Sequence, residues 1–322
     1  MNSYLKKPFY HGLMFHHFHD YKNSLPGQGS LSKDDFYKII KIVGKKNILN
    51  PKDFIERVTS NKIKSNEICL TFDDGSIGQY YVALPVMEEL NIKGFFFIYS
   101  SIFTNNPDLL ELYRFFRINF FNKIDEFYEI FFSMLSDNDK KYLNYKKTLI
   151  LSLKKKFPYY SDNDIKFRII RDNRLTKKQY KNIMFKIFKL KNFNFKKYMN
   201  KIFINQKQLK KIHKLGHEVG LHSHTHPTKI ESLNYNKQKF EYKKNIEILS
   251  KILNVNNSEF SSVAHPCGSY NSSSLKILKG LEIKLGFKQI MKIEKEKGMS
   301  KINNSKYEIA RQDHSFFRNL IR

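Results

Sequence analysis

The sequence predicts an α/β fold built on a parallel sheet or barrel and interrupted by a helical insertion. Short, mostly apolar runs such as Glu67–Phe72 and Gly94–Tyr99 alternate with stretches of helical period, which is the rhythm of βα units. That rhythm stops near Pro107 and resumes at Gln206. Between them lie long aromatic and lysine-rich stretches at helical spacing, with almost no glycine.

Taken in order, Gly12–Phe18 reads as the first strand, and Ser32–Val43 as a helix capped by Ser32 with Phe36, Ile39, Ile40 and Val43 on one face. Glu67–Phe72 is a buried strand running into Asp73-Asp74-Gly75. Val82–Leu90 is a helix, and Gly94–Tyr99 is a second buried strand. Residues 108–200 form the insertion, whose aromatic faces pack helix on helix or dock a substrate or lipid carrier. A helix from Gln206 stops at Gly216, and a strand follows over Glu218–Leu221. Then come a helix over Asn236–Leu253, a strand over Phe260–Ala264, the turn His265–Asn271, a helix over Ser273–Lys279 and a strand start at Gly286-Phe287. The piece Lys292–Lys297 reads as a solvated surface segment. Residues 1–107 and 201–322 thus make one discontinuous domain around the insertion.

Composition narrows the function. A hydrophobic fraction of 41% with 29 Phe and 19 Tyr excludes a disordered chain. The net charge of +28 raises nucleic acid as a partner, yet lysines spread through the whole sequence supply most of it, and Arg, which reads bases and phosphates bidentately, is scarce. No specific nucleic-acid partner is expected. Cys69 and Cys267 are the only cysteines, so no disulfide framework exists. Charges and histidines interrupt every apolar run near the N-terminus, and no run approaches a membrane span, so a soluble, cytoplasmic protein is expected.

Two clusters carry chemistry. Asp73 and Asp74 are adjacent carboxylates after a buried strand, where folds of this kind place their sites, and adjacent acids repel unless a cation or proton compensates. His222, His224 and His226 follow a second short strand. On a helical turn His222 and His226 share one side, whereas in an extended segment all three share a face. Either geometry can hold a divalent metal. Imidazole and carboxylate suit Zn, with Co, Ni or Fe as alternatives, and three protein ligands with an open position mark a catalytic site.

The segments Leu70-Thr71-Phe72-Asp73-Asp74-Gly75 and Glu218–Pro227 together resemble the first two motifs of the polysaccharide deacetylase, or NodB-homology, family (carbohydrate esterase family 4-like). The resemblance covers about residues 12–103 and 206–311. It implies a distorted (β/α) barrel in which Asp73 is the general base and Asp74, His222 and His226 bind the metal. His224, between the ligands, is expected to support them or face substrate.

The third family motif usually presents an aromatic residue after proline and a backbone N–H near the oxyanion. Here Cys267 stands in the aromatic position, still able to offer its N–H beside Gly268. Ala264 stands where many members carry the Arg that orients the base, and His265 adds a polar group at the site mouth. No Trp is present for the family's Trp-containing motif. The segment Ile309–His314, like the His-Pro-Cys turn, is similar to deacetylase-like proteins of surface-glycan gene clusters. By that analogy Arg311 orients Asp73 and His314 is the general acid. Of His16, His17 and His19 on the first strand, His17 and His19 point the same way, and structural or substrate-contacting roles rather than metal binding are expected of them.

The expected function is that of a metal-dependent hydrolase, acting on a linear amide other than a peptide bond, that removes an N-acyl group, most simply acetyl, from a sugar in surface-glycan metabolism. The substrate is nucleotide-linked, lipid-linked or an oligosaccharide. A deformylase and a catalytically silent glycan-binding relative are the alternatives.

Overall fold

A computed structural model describes residues 9–27, 29–104, 107, 109–144, 147–156 and 160–321. Residues 1–8, which carry part of the N-terminal leader reading, and the insertion boundary at 108 lie outside the described residues. The chain divides into two compact units, one drawn from Met1–Asp108 and Met199–Arg322, the other from Leu109–Tyr198.

The first unit is organised around seven strands: β1 His11–Phe15, β2 Ile68–Asp73, β3 Phe95–Ile98, β4 Glu218–Leu221, β5 Ser262–Ala264, β6 Leu285–Phe287 and β7 Arg311–Asp313. Their order is β6-β5-β4-β3-β2-β1-β7, and every pairing is parallel. The two edges meet where Phe287 pairs with Ile309, the Ile309 N–H donating to the Gly286 carbonyl at 2.9 Å. The sheet is therefore nearly closed, which is the predicted distorted (β/α) barrel. Every residue of β1, β2 and β3 is buried, as a sheet covered on both faces requires. Aromatic rings fill it, among them Phe72 stacked on Phe96 at 4.7 Å and Phe95 tilted against Phe287 at 5.3 Å.

The helices of this unit are α1 Lys33–Val43, α2 Pro51–Thr59 and α3 Leu84–Glu89, the last preceded by a π-helical turn over Gln79–Ala83. Ser32 and Asp35 form the capping box of α1, and Asn50 with Pro51 starts α2, a helix absent from the sequence reading. The second unit holds α4 Leu110–Asn119, α5 Ile124–Ser133, α6 Asp137–Lys140, α7 Lys147–Lys156, α8 Asp162–Asn173 and α9 Lys177–Leu190, of which α4, α5, α8 and α9 pack on shared aromatic rings. Phe116 meets Phe188 at 4.6 Å and Phe131 meets Phe167 at 4.9 Å, so these faces form a core within the unit. After it come α10 Met199–Ile202, α11 Gln206–Lys214, α12 Tyr235–Leu253 and α13 Ser272–Gly280.

Two strands differ from expectation. β1 ends at Phe15 rather than Phe18, because residues from His16 onward leave the ladder with β2. β7, Arg311-Gln312-Asp313, is a strand with no apolar run to announce it, and its pairing with Gly12–Met14 of β1 defines it. No helix among the described residues is long and apolar enough to cross a membrane.

Candidate active site

Asp73 closes β2, and the chain turns at once through two left-handed residues, Asp74 at φ 74° and Gly75 at φ 65°. Glycine adopts this conformation freely and Asp tolerates it, so the pair of carboxylates is presented in a single sharp turn. Arg311 Nη1 donates to Asp73 Oδ1 at 2.7 Å, and both side chains are almost wholly buried. Arg311 is itself held by its Nε donating to the Lys288 carbonyl at 2.8 Å. Gly12 gives it room, since a Cβ there would stand 3.1 Å from Arg311 Cγ. Burial pushes the Asp73 carboxyl up, but Arg311, His222 and His16 together hold it below the usual carboxylate range.

Asp74, His222 and His226 converge. Asp74 Oδ1 lies 3.4 Å from Nε2 of each histidine, and this buried oxygen has no hydrogen-bond partner. His222 donates from Nδ1 to the Ala264 carbonyl at 2.8 Å, which leaves Nε2 with its lone pair toward Asp74. Burial pushes His222 down, yet the Asp73 and Asp74 charges outweigh it and raise the imidazole; Asp74 is held far below its ordinary value against the same burial. Without a cation, the site must trap a proton beside a buried carboxylate. The three donor atoms lie within 4.8 Å of one another, and two imidazole nitrogens with one carboxylate oxygen suit a first-row divalent ion.

The loop that presents the histidines is neither a helix nor an extended strand. Ser223 at φ 64° and His226 at φ 53° are both left-handed, which turns His226 back toward His222, their rings 4.9 Å apart. His224 points elsewhere and shares a hydrogen bond of 2.9 Å between its Nδ1 and Ser100 Oγ.

In the third turn, Cys267 is exposed at φ 52° and Gly268 follows at φ 68°. Lys297 Nζ donates to the Gly268 carbonyl at 2.7 Å and sits 4.0 Å over the Tyr270 ring, so the end of the mostly exposed segment Lys292–Lys297 packs on this turn. His265 corrects its expectation. It is fully buried rather than at the mouth, Nε2 donating to the Tyr307 carbonyl at 2.8 Å and the ring stacked on Tyr270 at 4.2 Å. Burial carries its pKa down to about 3.

His314 is buried, stacks on Phe15 at 6.0 Å and donates from Nε2 to the Gly29 carbonyl at 2.7 Å. Burial lowers its pKa, so its charged form is disfavoured. His16 stands closer to the acids: its Nε2 is 3.9 Å from Asp73 Oδ2 and its side chain is partly exposed. Ligand-type atoms of His16, Asp313 and His314 lie within 4.8 Å of one another. Because β1 ends at Phe15, the strand alternation that paired His17 with His19 does not apply, and His19 instead binds Ser30 Oγ at 2.9 Å.

Three further residues hold this site together. Gln79, in the π-helical turn, donates from Nε2 to the carbonyls of His16 at 2.9 Å and Asp73 at 2.5 Å. Asn245 and Glu241 of α12 bind the backbone of the histidine loop. Their sequence signal was available: polar Gln238, Glu241 and Asn245 recur at helical spacing on a face shared with apolar Tyr242, Leu249 and Ile252.

The profile of the family described as polysaccharide deacetylase matches residues 173–286, which include the histidine loop and the third turn. Among solved structures, the chain is similar to a Streptococcus pyogenes deacetylase, PplD, in complex with acetate, at 16% identity and TM-score 0.51 over 94% of this chain and 90% of that one. The fold of this chain is that of a polysaccharide deacetylase. Two further structures share the polysaccharide deacetylase fold. IcaB from Ammonifex degensii matches at 12% identity and TM-score 0.52, over 94% of this chain and 91% of that one. A de-N-acetylase from Aggregatibacter actinomycetemcomitans matches at 12% identity and TM-score 0.53, over 96% and 98%. No curated protein matches the sequence.

Proposed function

We propose that the chain is a metal-dependent amidohydrolase that removes an N-acetyl group from a saccharide, with the discontinuous barrel as its catalytic domain. The observation that carries this is the convergence of Asp74, His222 and His226 on a buried carboxylate oxygen with no hydrogen-bond partner, beside a second carboxylate kept ionised by Arg311. Held by those three side chains, a divalent ion such as Zn would polarise the acyl carbonyl and lower the pKa of water.

The chain's own residues supply the rest. Asp73 takes a proton from the attacking water, and Arg311 keeps it in the carboxylate form that this requires. The N–H of Cys267 is the candidate for donation to the oxygen that gains charge, whereas that of Gly268, expected to serve beside it, is taken by the His265 carbonyl at 3.0 Å. His16 gives a proton to the departing nitrogen as the C–N bond breaks, so that the products are a carboxylic acid and a free amine. His16 suits this role better than His314, because it is partly exposed and near Asp73, whereas His314 is buried with Nε2 engaged at Gly29. The acetate bound to the Streptococcus pyogenes deacetylase and the likeness to the Aggregatibacter de-N-acetylase support acetyl as the group removed.

The test is amine release from a panel of N-acetylated and N-formylated sugars, free, nucleotide-linked, lipid-linked and oligomeric, with zinc supplied. Release from an N-acetylated member is the expected result. Release from N-formyl members alone would reassign the acyl group, and none from any member would overturn the reading.

A further inference from the structure

The histidine loop adopts a conformation its own sequence does not favour. Ser223 and His226 are both left-handed without being glycine, a state that persists only where the surroundings over-determine it. The hydrogen bonds around the loop show what does so. Its carbonyls at Ser223 and His224 accept from the N–H groups of Ser100 at 3.3 Å and Ser101 at 2.9 Å, just past β3. Its amides turn to α12. The His222 N–H donates to Asn245 Oδ1 at 2.9 Å, and the N–H groups of His224 and Thr225 both donate to Glu241 Oε2, at 2.9 and 2.7 Å. Thr225 Oγ1 donates to the other oxygen of Glu241 at 2.7 Å, and the His226 N–H is taken by Ser223 Oγ at 3.1 Å.

Glu241 and Asn245 lie four apart and therefore on one face of α12, and both are buried. Asn245 is fixed in turn by its Nδ2 donating to the Ile98 carbonyl at 3.0 Å. A carboxylate that accepts two amides and a hydroxyl makes strong, short, directional bonds. Their bonds to the amides of His222, His224 and Thr225 fix the backbone between His222 and His226.

We infer that Glu241 and Asn245 are positioning residues which set metal affinity by clamping the histidine loop in its left-handed form. The inference rests on the proposed metal centre. Loss of the clamp frees Ser223 and His226 to relax toward ordinary backbone angles, which separates the two imidazoles. The ligands remain but must be gathered again at each binding event. Removing such supports of a metal ligand typically costs 10- to 100-fold in affinity.

The experiment is competition for Zn²⁺ against a chromophoric chelator on the full chain. Glu241→Ala is expected to weaken Zn²⁺ binding about 10- to 100-fold, with kcat recovering when Zn²⁺ is raised to saturation and KM for the sugar unchanged. Glu241→Gln keeps one acceptor oxygen and is expected to rescue part of that affinity. Thr225→Val removes only the hydroxyl contact, so it and Glu241→Gln carry the test should Glu241→Ala fail to fold. Glu247→Ala, an exposed position on the same helix, serves as the control and is expected to bind Zn²⁺ as the wild type does. Wild-type affinity in the folded Glu241 and Thr225 variants, with only thermal stability reduced, would show ordinary structural support and overturn the inference alone. A wild-type chain that takes up no Zn²⁺ would overturn the metal reading and this inference with it.

Discussion

Replacing Arg311 by Met leaves Asp73 buried and removes the guanidinium that compensates it. The pair is almost wholly inaccessible, at 1% and 3% exposure, and spans 2.7 Å. Breaking a buried pair by removing one partner costs about 3–5 kcal/mol, because the surviving charge is left without compensation. In the wild type the carboxyl is held below its ordinary value, so the pair contributes stability above the unfolded-state pKa. That contribution is lost as pH falls through the folded value. In Arg311→Met the sign reverses: the buried carboxylate is the liability, proton uptake relieves it, and the deficit relative to wild type narrows in acid. Urea denaturation of metal-free protein at about pH 7 and about pH 5 reads this directly. The deficit is expected to be several kcal/mol near neutrality and smaller at the lower pH. The acidic limb of kcat/KM is expected to move to higher pH in the same variant, because the base is then protonated over more of the range. A deficit below about 1 kcal/mol, or one equal at both pH values, would refute the compensation of Asp73 by Arg311.

Asp74→Asn is expected to abolish metal uptake, and Asp73→Asn to keep the metal while losing turnover; metal analysis of the purified variants decides it, and the opposite pattern would exchange the two roles. His16→Asn should lower kcat by about 100-fold or more, whereas His314→Asn should act through stability and leave kcat of the folded protein near wild type. A comparable loss of kcat in His314→Asn alone would return the proton to His314. Stripping the metal with a chelator should lower the melting temperature. At metal concentrations near a hundred times Kd the ion contributes about 2.7 kcal/mol, and Asp74→Asn should show no such difference.

Much of this was legible because the chemistry and the fold share the same local patterns. The buried runs ending in Asp73-Asp74-Gly75 and the histidine cluster announced both strand and site; their βα spacing indicated a parallel sheet or barrel, and the resemblance of the two motifs narrowed it to the barrel. What was not legible depends on distance across the fold. Arg311 reaches Asp73 from a three-residue strand with no apolar run, which only its pairing with Gly12 establishes. His16 drew little notice beside His17 and His19, since where β1 leaves its ladder decides which histidine faces the acids. His265 sits beside the third turn and reads as a site group, yet the closure of the barrel through Tyr307 and Ile309 buries it. The insertion's aromatic spacing did indicate a core, because rings at helical period need other rings to pack against.

The most direct test measures amine release and bound zinc together, on metal-free chain titrated with Zn²⁺ in the presence of an N-acetylated saccharide that the panel identifies. Turnover is expected to rise with occupancy of one ion per chain and to be absent from Asp74→Asn at every zinc concentration. Turnover by the metal-free chain, or undiminished turnover by Asp74→Asn, would contradict a catalytic centre built on Asp74, His222 and His226.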